Sequence, residues 1–196
     1  MKDERPSEYF KQLVRDNLFP KEYPFHLLTG LSNIPQSPVY HPEGNVWNHT
    51  MLVVDNAAQR KHLSQHPRIL MWAALLHDFG KISQTKQRKG KITSYDHDKA
   101  GQILARKFLK ECGQEETFIK EVSALVRWHM QVLFVVKNLP FSDLAQMTSE
   151  ADINEVALLS FCDRLGRGDL TDENIKNELD NIKLFLKKCK KYQKRL

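Results

Sequence analysis

An all-α fold is what this 196-residue chain predicts, on three observations. Apolar residues recur at helical spacing along most of it. Period-two alternation is scarce, and no Asn-Gly or Asp-Gly pair joins two β-branched runs, so strand and hairpin signals are weak. The length suits one domain with a substantial core and falls short of two large ones.

The elements follow in chain order. Residues 1–44 read as a lead-in, with a helix over 7–18 and then the stretch PKEYPFHLLTGLSNIPQSPVYHPEGN. That stretch is rich in proline and turn formers. It also carries Phe25, Leu27, Leu28, Leu31 and Ile34, so it is expected to pack on the domain rather than hang as a free linker. Residues 45–169 form the central unit, with helices expected over 48–63, 67–79, 97–112, 115–131, 141–148 and 152–165. Pro67 sits where a first helical turn tolerates it. Ser142 and Asp152 are N-cap types, and Gly80 and Gly166 fit helix stops. Residues 84–96, QTKQRKGKITSYD, read as a polar loop. Its basic run at 86–91 is either solvated or a lid over an anionic substrate. Residues 170–196 read as a basic amphipathic helix over 171–194, with Ile175, Leu179, Ile182, Leu186 and Cys189 at helical spacing. Packing on the domain is its first use; its lysines could also grip RNA, or its stripe could pair two chains into a homodimer.

Composition narrows the function classes. Apolar residues make up 41% and charged residues 28%, as in ordinary soluble domains. The N-terminal MKDERPSEYF is charged from its second residue and cannot be the apolar part of a signal peptide, and no stretch is long enough to span a bilayer. Cys112, Cys162 and Cys189 show no metal-finger or CxxC spacing, so no disulfide framework is expected and a cytoplasmic setting fits. The formal charge of +6 suits an anionic ligand such as a nucleotide or RNA, with no membrane partner.

The candidate site comes from an argument about cost. Ile69, Leu70, Trp72, Ala73, Ala74, Leu75 and Leu76 cover nearly every side of one helix, so that helix is buried. It ends in His77-Asp78. A carboxylate there is costly unless paired, and the helix C-terminus adds its own partial negative charge. The pattern recurs in INEVALLSFCDRLGRG, where an apolar run delivers Asp163 just before Gly166. One cation touching both acids would remove both penalties. His77, and His49 at the start of another helix, complete a set of two histidines and two aspartates. Each alone has a duller reading: His49 as a surface histidine, Asp163 as a partner of Arg164 or Arg167. A second His-Asp pair, His97-Asp98, lies in a polar context and shows how common such doublets are.

These residues resemble the signature of the HD-domain metal-dependent phosphohydrolases, a histidine, a His-Asp doublet and a distant aspartate: here His49, His77-Asp78 and Asp163. The chain is more closely similar to the HD domain of bacterial CCA-adding tRNA nucleotidyltransferases. GLSNIPQSPVYHPEGNVWNHTMLVVDNAA looks like that domain's opening, SYDHDKAG like its second histidine motif, LVRWHM like its third, and FCDRLGRGD like its closing aspartate segment. The resemblance runs from Leu28 to Asp169. Only about 45 residues precede His49, with no strand-borne pair of acids, so tail-adding activity is not expected.

The resemblance implies an HD-domain helical bundle holding a divalent ion (Ni, Mn, Co, Mg, Fe or Zn). Imidazole and carboxylate donors suit such ions. His49, His77, Asp78 and Asp163 would be the ligands. His97 and His129 match positions that hold a second metal, with Asp78 bridging, or else contact phosphate. For His129 the competing reading is a backbone-bonded core histidine, for His97 a loop histidine. Lys81 and Arg164 join Asp78 as catalytic candidates because fixed cations stabilise a phosphoryl transition state. Arg167 and His41 fall on the substrate side. The competing reading of Lys81, Arg164 and Arg167 is as helix-end cations satisfying the dipole. The activity implied is hydrolysis of nucleotide phosphomonoesters or 2′,3′-cyclic phosphodiesters. The alternatives are a non-catalytic RNA- or nucleotide-binding module that retains metal, and an iron oxygenase using a two-iron version of the ligand set.

Overall fold

In the computed structural model, which describes residues 4–168 and 170–194, apolar periodicity becomes helix almost throughout. Asp169, the last residue of the FCDRLGRGD segment, lies outside the described residues, as do positions 1–3 of the lead-in and 195–196 of the final helix. The lead-in supplies α1 (Pro6–Arg15) and a short α2 (His26–Gly30). Then come α3 (Val46–Arg60) and α4 (Pro67–Leu76), followed by one turn of helix, α5 (Lys81–Gln84). A hairpin of β1 (Lys86–Arg88) and β2 (Lys91–Thr93) precedes α6 (His97–Glu111) and α7 (Glu116–Trp128). The chain continues through α8 (Gln131–Val136), α9 (Leu144–Glu150), α10 (Ile153–Leu165) and α11 (Asp172–Gln193).

Helix α4 occupies the centre because its composition leaves it no solvent face. Leu70, Met71, Ala73, Ala74, Leu75 and Leu76 are buried, and α3, α7 and α10 surround it. Helix α6 lies along α7, while α10 packs on both α3 and α11. The proline-rich lead-in sits on this core: Leu28 and Leu31 are buried, and Phe25, Leu27 and Ile34 pack against the cluster. Ser7 ties α1 to α3, its backbone N–H and hydroxyl both donating to Asp55. In α11, Phe185 and Cys189 are buried and Ile182 and Leu186 pack on the core, so most of the apolar stripe is covered within the chain.

Four local expectations change. The loop over 84–96 contains an antiparallel hairpin in which Gln87 pairs Ile92. Its two turn residues, Lys89 and Gly90, both have positive φ, the geometry of a tight hairpin turn. The helix expected over 115–131 ends at Trp128, and α8 starts separately at Gln131. The cap of α9 is Asp143 rather than Ser142, its carboxylate accepting from Gln146 N–H. Asp152 does cap α10, accepting from Asn154 and Glu155. Gly80 is no helix stop, since α4 already ends at Leu76. A Cβ on Gly80 would lie 1.8 Å from the His97 carbonyl oxygen, so glycine there lets the start of α6 close onto the turn after α4.

Candidate metal centre

The turn after α4 places the first two groups. Phe79 is buried edge-on against Phe108 of α6, which anchors the turn in the core. His77 directs its Nδ1–H back to the Ala74 carbonyl at 2.8 Å, leaving Nε2 as a bare acceptor. That Nε2 is buried without a hydrogen-bond partner. Beside it, Asp78 Oδ2 lies 3.4 Å from His77 Nε2, 3.8 Å from His49 Nε2 and 2.7 Å from Lys81 Nζ. The other oxygen, Oδ1, turns toward His97 Nε2 at 3.5 Å.

The histidines that end α7 and begin α6 repeat the same device. His129 donates Nδ1–H to the Val126 carbonyl and His97 to that of Ser94, each at 2.7 Å. Bonds of this kind set the tautomer and orient the ring. With both Nδ1 atoms protonated, the two Nε2 lone pairs face each other at 3.2 Å. Such a contact is repulsive unless a proton or a metal cation lies between or beside the two nitrogens. Five of the eight histidines thus form one edge-to-face series, His41, His49, His77, His129 and His97.

Helices α3 and α10 bring the remaining pair. His49 Nε2 meets Asp163 Oδ1 at 2.9 Å, and His49 Nδ1 meets Glu43 Oε1 at 2.8 Å. Gly166 lets α10 approach α3 this closely: a Cβ there would lie 2.4 Å from Val53 Cγ2. Glu43 also bonds His41 Nδ1 at 2.8 Å. The sequence reading missed Glu43, since a lone glutamate in a proline-rich loop carries no periodicity or spacing.

Protonation states follow from these contacts. Burial would raise the pKa of Asp78, but the Lys81 ammonium beside it holds it well below the ordinary value. Asp163, opposed by burial in the same way, is held well below by His49. Burial drives His129 down to about 4, with His97 and His77 pushing the same way, and burial also lowers His97. These are ionised carboxylates and neutral imidazoles, the forms that bind metal. His49 differs: burial opposes its charge, yet Asp163 and Glu43 raise its pKa to about 9. Carboxylates that stabilise an imidazolium there stabilise any cation held at Nε2.

An open cleft of about 560 Å³ leads to this cluster, lined by Asp78, His97, His129 and Asp163. Lys81, Arg164, Arg167 and His41 also line it, so none of the three cations is confined to an outer helix face. Lys81 donates to Gln36 Oε1 at 2.6 Å as well as pairing with Asp78. Arg164 is buried, and its pKa falls, first through burial and then through the neighbouring Arg167. Arg167 Nε is itself buried without a partner. Two crowded guanidiniums on a cleft floor favour an anion. In the doublet His97-Asp98, read from sequence as a common polar pair, the aspartate turns out to be structural. Asp98 is buried and ion-paired to Arg127, which locks α6 to α7 and so sets His97 against His129.

The residues present fit a divalent cation. Ligand atoms of His49, His77 and Asp78 lie within 4.8 Å of one another, as do those of Asp78, His97 and His129, and the two groups share Asp78. His41, Glu43 and His49 form a third such group. The orphaned His77 Nε2 points to the same conclusion as the donor chemistry.

Comparison with known proteins agrees. A family model described as HD domain matches residues 46–168. The multifunctional CCA protein of Azoarcus sp. strain BH72 is 28% identical over 156 residues, 75% of this chain and 36% of that protein. That of Halorhodospira halophila is 35% identical over 101 residues, 51% of this chain and 23% of its own length. That of Actinobacillus pleuropneumoniae serotype 5b is 35% identical over 79 residues, covering 40% and 18%. The chain therefore matches a minor part of each of these relatives. The matched span 46–168 holds every ligand candidate from His49 to Asp163, and on that ground the chain belongs to the HD domain family, within a superfamily of metal-dependent phosphohydrolases.

Proposed function

We propose that this chain hydrolyses nucleotide phosphomonoesters or 2′,3′-cyclic phosphodiesters, using His49, His77, Asp78 and Asp163 to hold one divalent ion. His97 and His129, with Asp78 bridging, would hold a second. The observation that carries the reading is the position of Asp78. Its two oxygens face different histidine groups, and the cleft beside it carries Lys81, Arg164 and Arg167. When bound, a divalent ion supplies an activated water near neutral pH and polarises the phosphoryl group. The chain's own residues do the rest. Backbone carbonyls and Glu43 fix the imidazole rings so that each Nε2 faces inward. Arg164 and Arg167 orient the phosphate through planar, forked donors. Lys81 stabilises negative charge developing next to Asp78. Burial of these groups keeps bulk water from screening them.

The test is a substrate panel. Chelator-stripped protein is reloaded with Mn²⁺, Ni²⁺ or Co²⁺ and offered 2′,3′-cyclic AMP, the adenosine monophosphates and p-nitrophenyl phosphoesters. Ion-dependent turnover of at least one nucleotide is expected. Absence of turnover with every ion would overturn the enzymatic reading in favour of a nucleotide- or RNA-binding module.

A further inference from the structure

We infer that the outer part of the cleft is a base-stacking subsite built from Tyr40, Tyr95 and Phe141, which selects a nucleoside phosphate over other phosphoesters while reading the identity of the base only weakly. This rests on the phosphohydrolase reading above and specifies which part of the substrate the protein recognises.

Five large aromatic side chains are exposed among the described residues, and three of them, at 64%, 74% and 64%, line this one cleft. They come from three unrelated segments. Tyr40 sits in the lead-in turn closed by its N–H to the Ser37 carbonyl. Tyr95 follows β2 and lies two residues before His97. Phe141 precedes α9 and packs edge-on against Phe134, with ring centroids 5.6 Å apart. Leaving aromatic surface in water is unfavourable, and three such rings lining one concavity mark a binding surface. The other two exposed aromatics, Tyr9 and Tyr23, rest on Phe10 and His26 and do not line the cleft.

Charge and shape choose the occupant. The inner floor is cationic and carries the candidate metal ligands, so it takes a phosphate. The outer wall is aromatic, so it takes a flat apolar surface attached to that phosphate. A sugar phosphate or polyphosphate would leave the rings wet, whereas a nucleotide fills both regions. A volume of about 560 Å³ falls within the usual range for one small ligand.

Weak reading of base identity follows from the make-up of the wall, whose exposed surface at Tyr40, Tyr95 and Phe141 is aromatic ring rather than a fixed amide or carboxylate. Near Tyr95, Ser94 is occupied with Thr85 and Asp96 with Lys99. Every base has a π-face, so stacking without fixed polar partners tolerates any of them.

The test uses the full chain and the double variant Tyr40→Ala/Phe141→Ala, both at exposed positions. The ligands are the adenosine, guanosine, cytidine and uridine 5′-monophosphates, with ribose 5-phosphate as the counterpart lacking a base. Discrimination is read as the ratio of Kd values by calorimetry on chelator-stripped protein, which does not consume the ligand, and again as the ratio of kcat/KM values on Mn²⁺-loaded protein. Wild type should prefer each nucleotide to ribose 5-phosphate by roughly tenfold to a hundredfold, the scale of one stacked base. The four nucleotides should agree within about tenfold, and the double variant should lose most of the preference. Ribose 5-phosphate binding as well as the nucleotides, an unchanged preference in the variant, or one base favoured by more than about a hundredfold would each overturn the inference. Loss of turnover on every phosphoester would instead strike the phosphohydrolase reading, while the Kd ratios still decide the subsite.

Discussion

Asp78 is the residue on which the account turns, and its neighbours show what a sequence can and cannot reveal at this scale. His77, Asp78 and Asp163 stood out because ionisable groups ended helices with no polar face, and burial makes such groups expensive alone. Glu43, Gln36 and Asp98 gave no such signal. Their partners are 45 residues away for Gln36 and 29 for Asp98, and only the fold brings them together. The cations beside the candidate ligands give a prediction at this scale. Lys81→Ala and Arg164→Ala should each lower kcat/KM by roughly tenfold to a thousandfold, as expected for loss of a charge-stabilising donor. Their metal content should stay at the wild-type level. Steady-state kinetics at saturating metal, with elemental analysis of the same samples, checks this; wild-type turnover in both would remove them from the chemistry. His129 gives a second prediction. If its Nε2 and that of His97 hold an ion with Asp78, His129→Ala should lower the metal-to-protein ratio while the site at His49 and His77 stays filled. An unchanged ratio with a raised KM would make His129 a phosphate contact instead.

At the scale of elements, helix positions were legible and the joints between them were not. The helices α3, α4, α6, α10 and α11 lie within a few residues of where periodicity, Pro67, Asp152 and Gly166 put them. The hairpin was missed because Lys89 takes a left-handed conformation, with φ of 48°, that the usual Asn or Asp would have advertised. Helix α8 was missed because QVLFVV is too short and too β-branched to show helical periodicity. The role of Gly80 was also hidden, since a glycine after an apolar run reads first as a helix stop. Its actual work is to admit the backbone of α6, and hence His97, to the turn that carries Asp78. Gly80→Ala should therefore destabilise the protein by about 1–3 kcal/mol, the range for overpacking a close contact. The displaced His97 should also weaken metal retention. Urea unfolding read beside metal content checks both; a neutral substitution would mean that α6 can move without cost.

At the scale of the whole molecule, the all-α architecture was readable because it depends on pattern rather than on single contacts. The clustering of candidate ligands was readable through shared cost for Asp78 and Asp163, and for His97 and His129 only through the family resemblance. Candidate ligands come from α3, the turn after α4, the start of α6, the end of α7 and the last turn of α10. An ion held by all of these would cross-link much of the bundle. Binding to the folded state alone adds stability in proportion to ligand concentration over its dissociation constant. Stripping with a chelator should thus lower Tm, and adding back Mn²⁺, Ni²⁺ or Zn²⁺ should restore it; an unchanged Tm would argue that no ion bridges these helices.

The central claim, that the cluster around Asp78 is a metal centre, is tested most directly by elemental analysis of purified wild-type protein and of Asp78→Ala, with circular dichroism confirming that both are folded. The account predicts at least one equivalent of divalent metal in the wild type and a large loss in the variant. Equal metal occupancy in two folded proteins would contradict it.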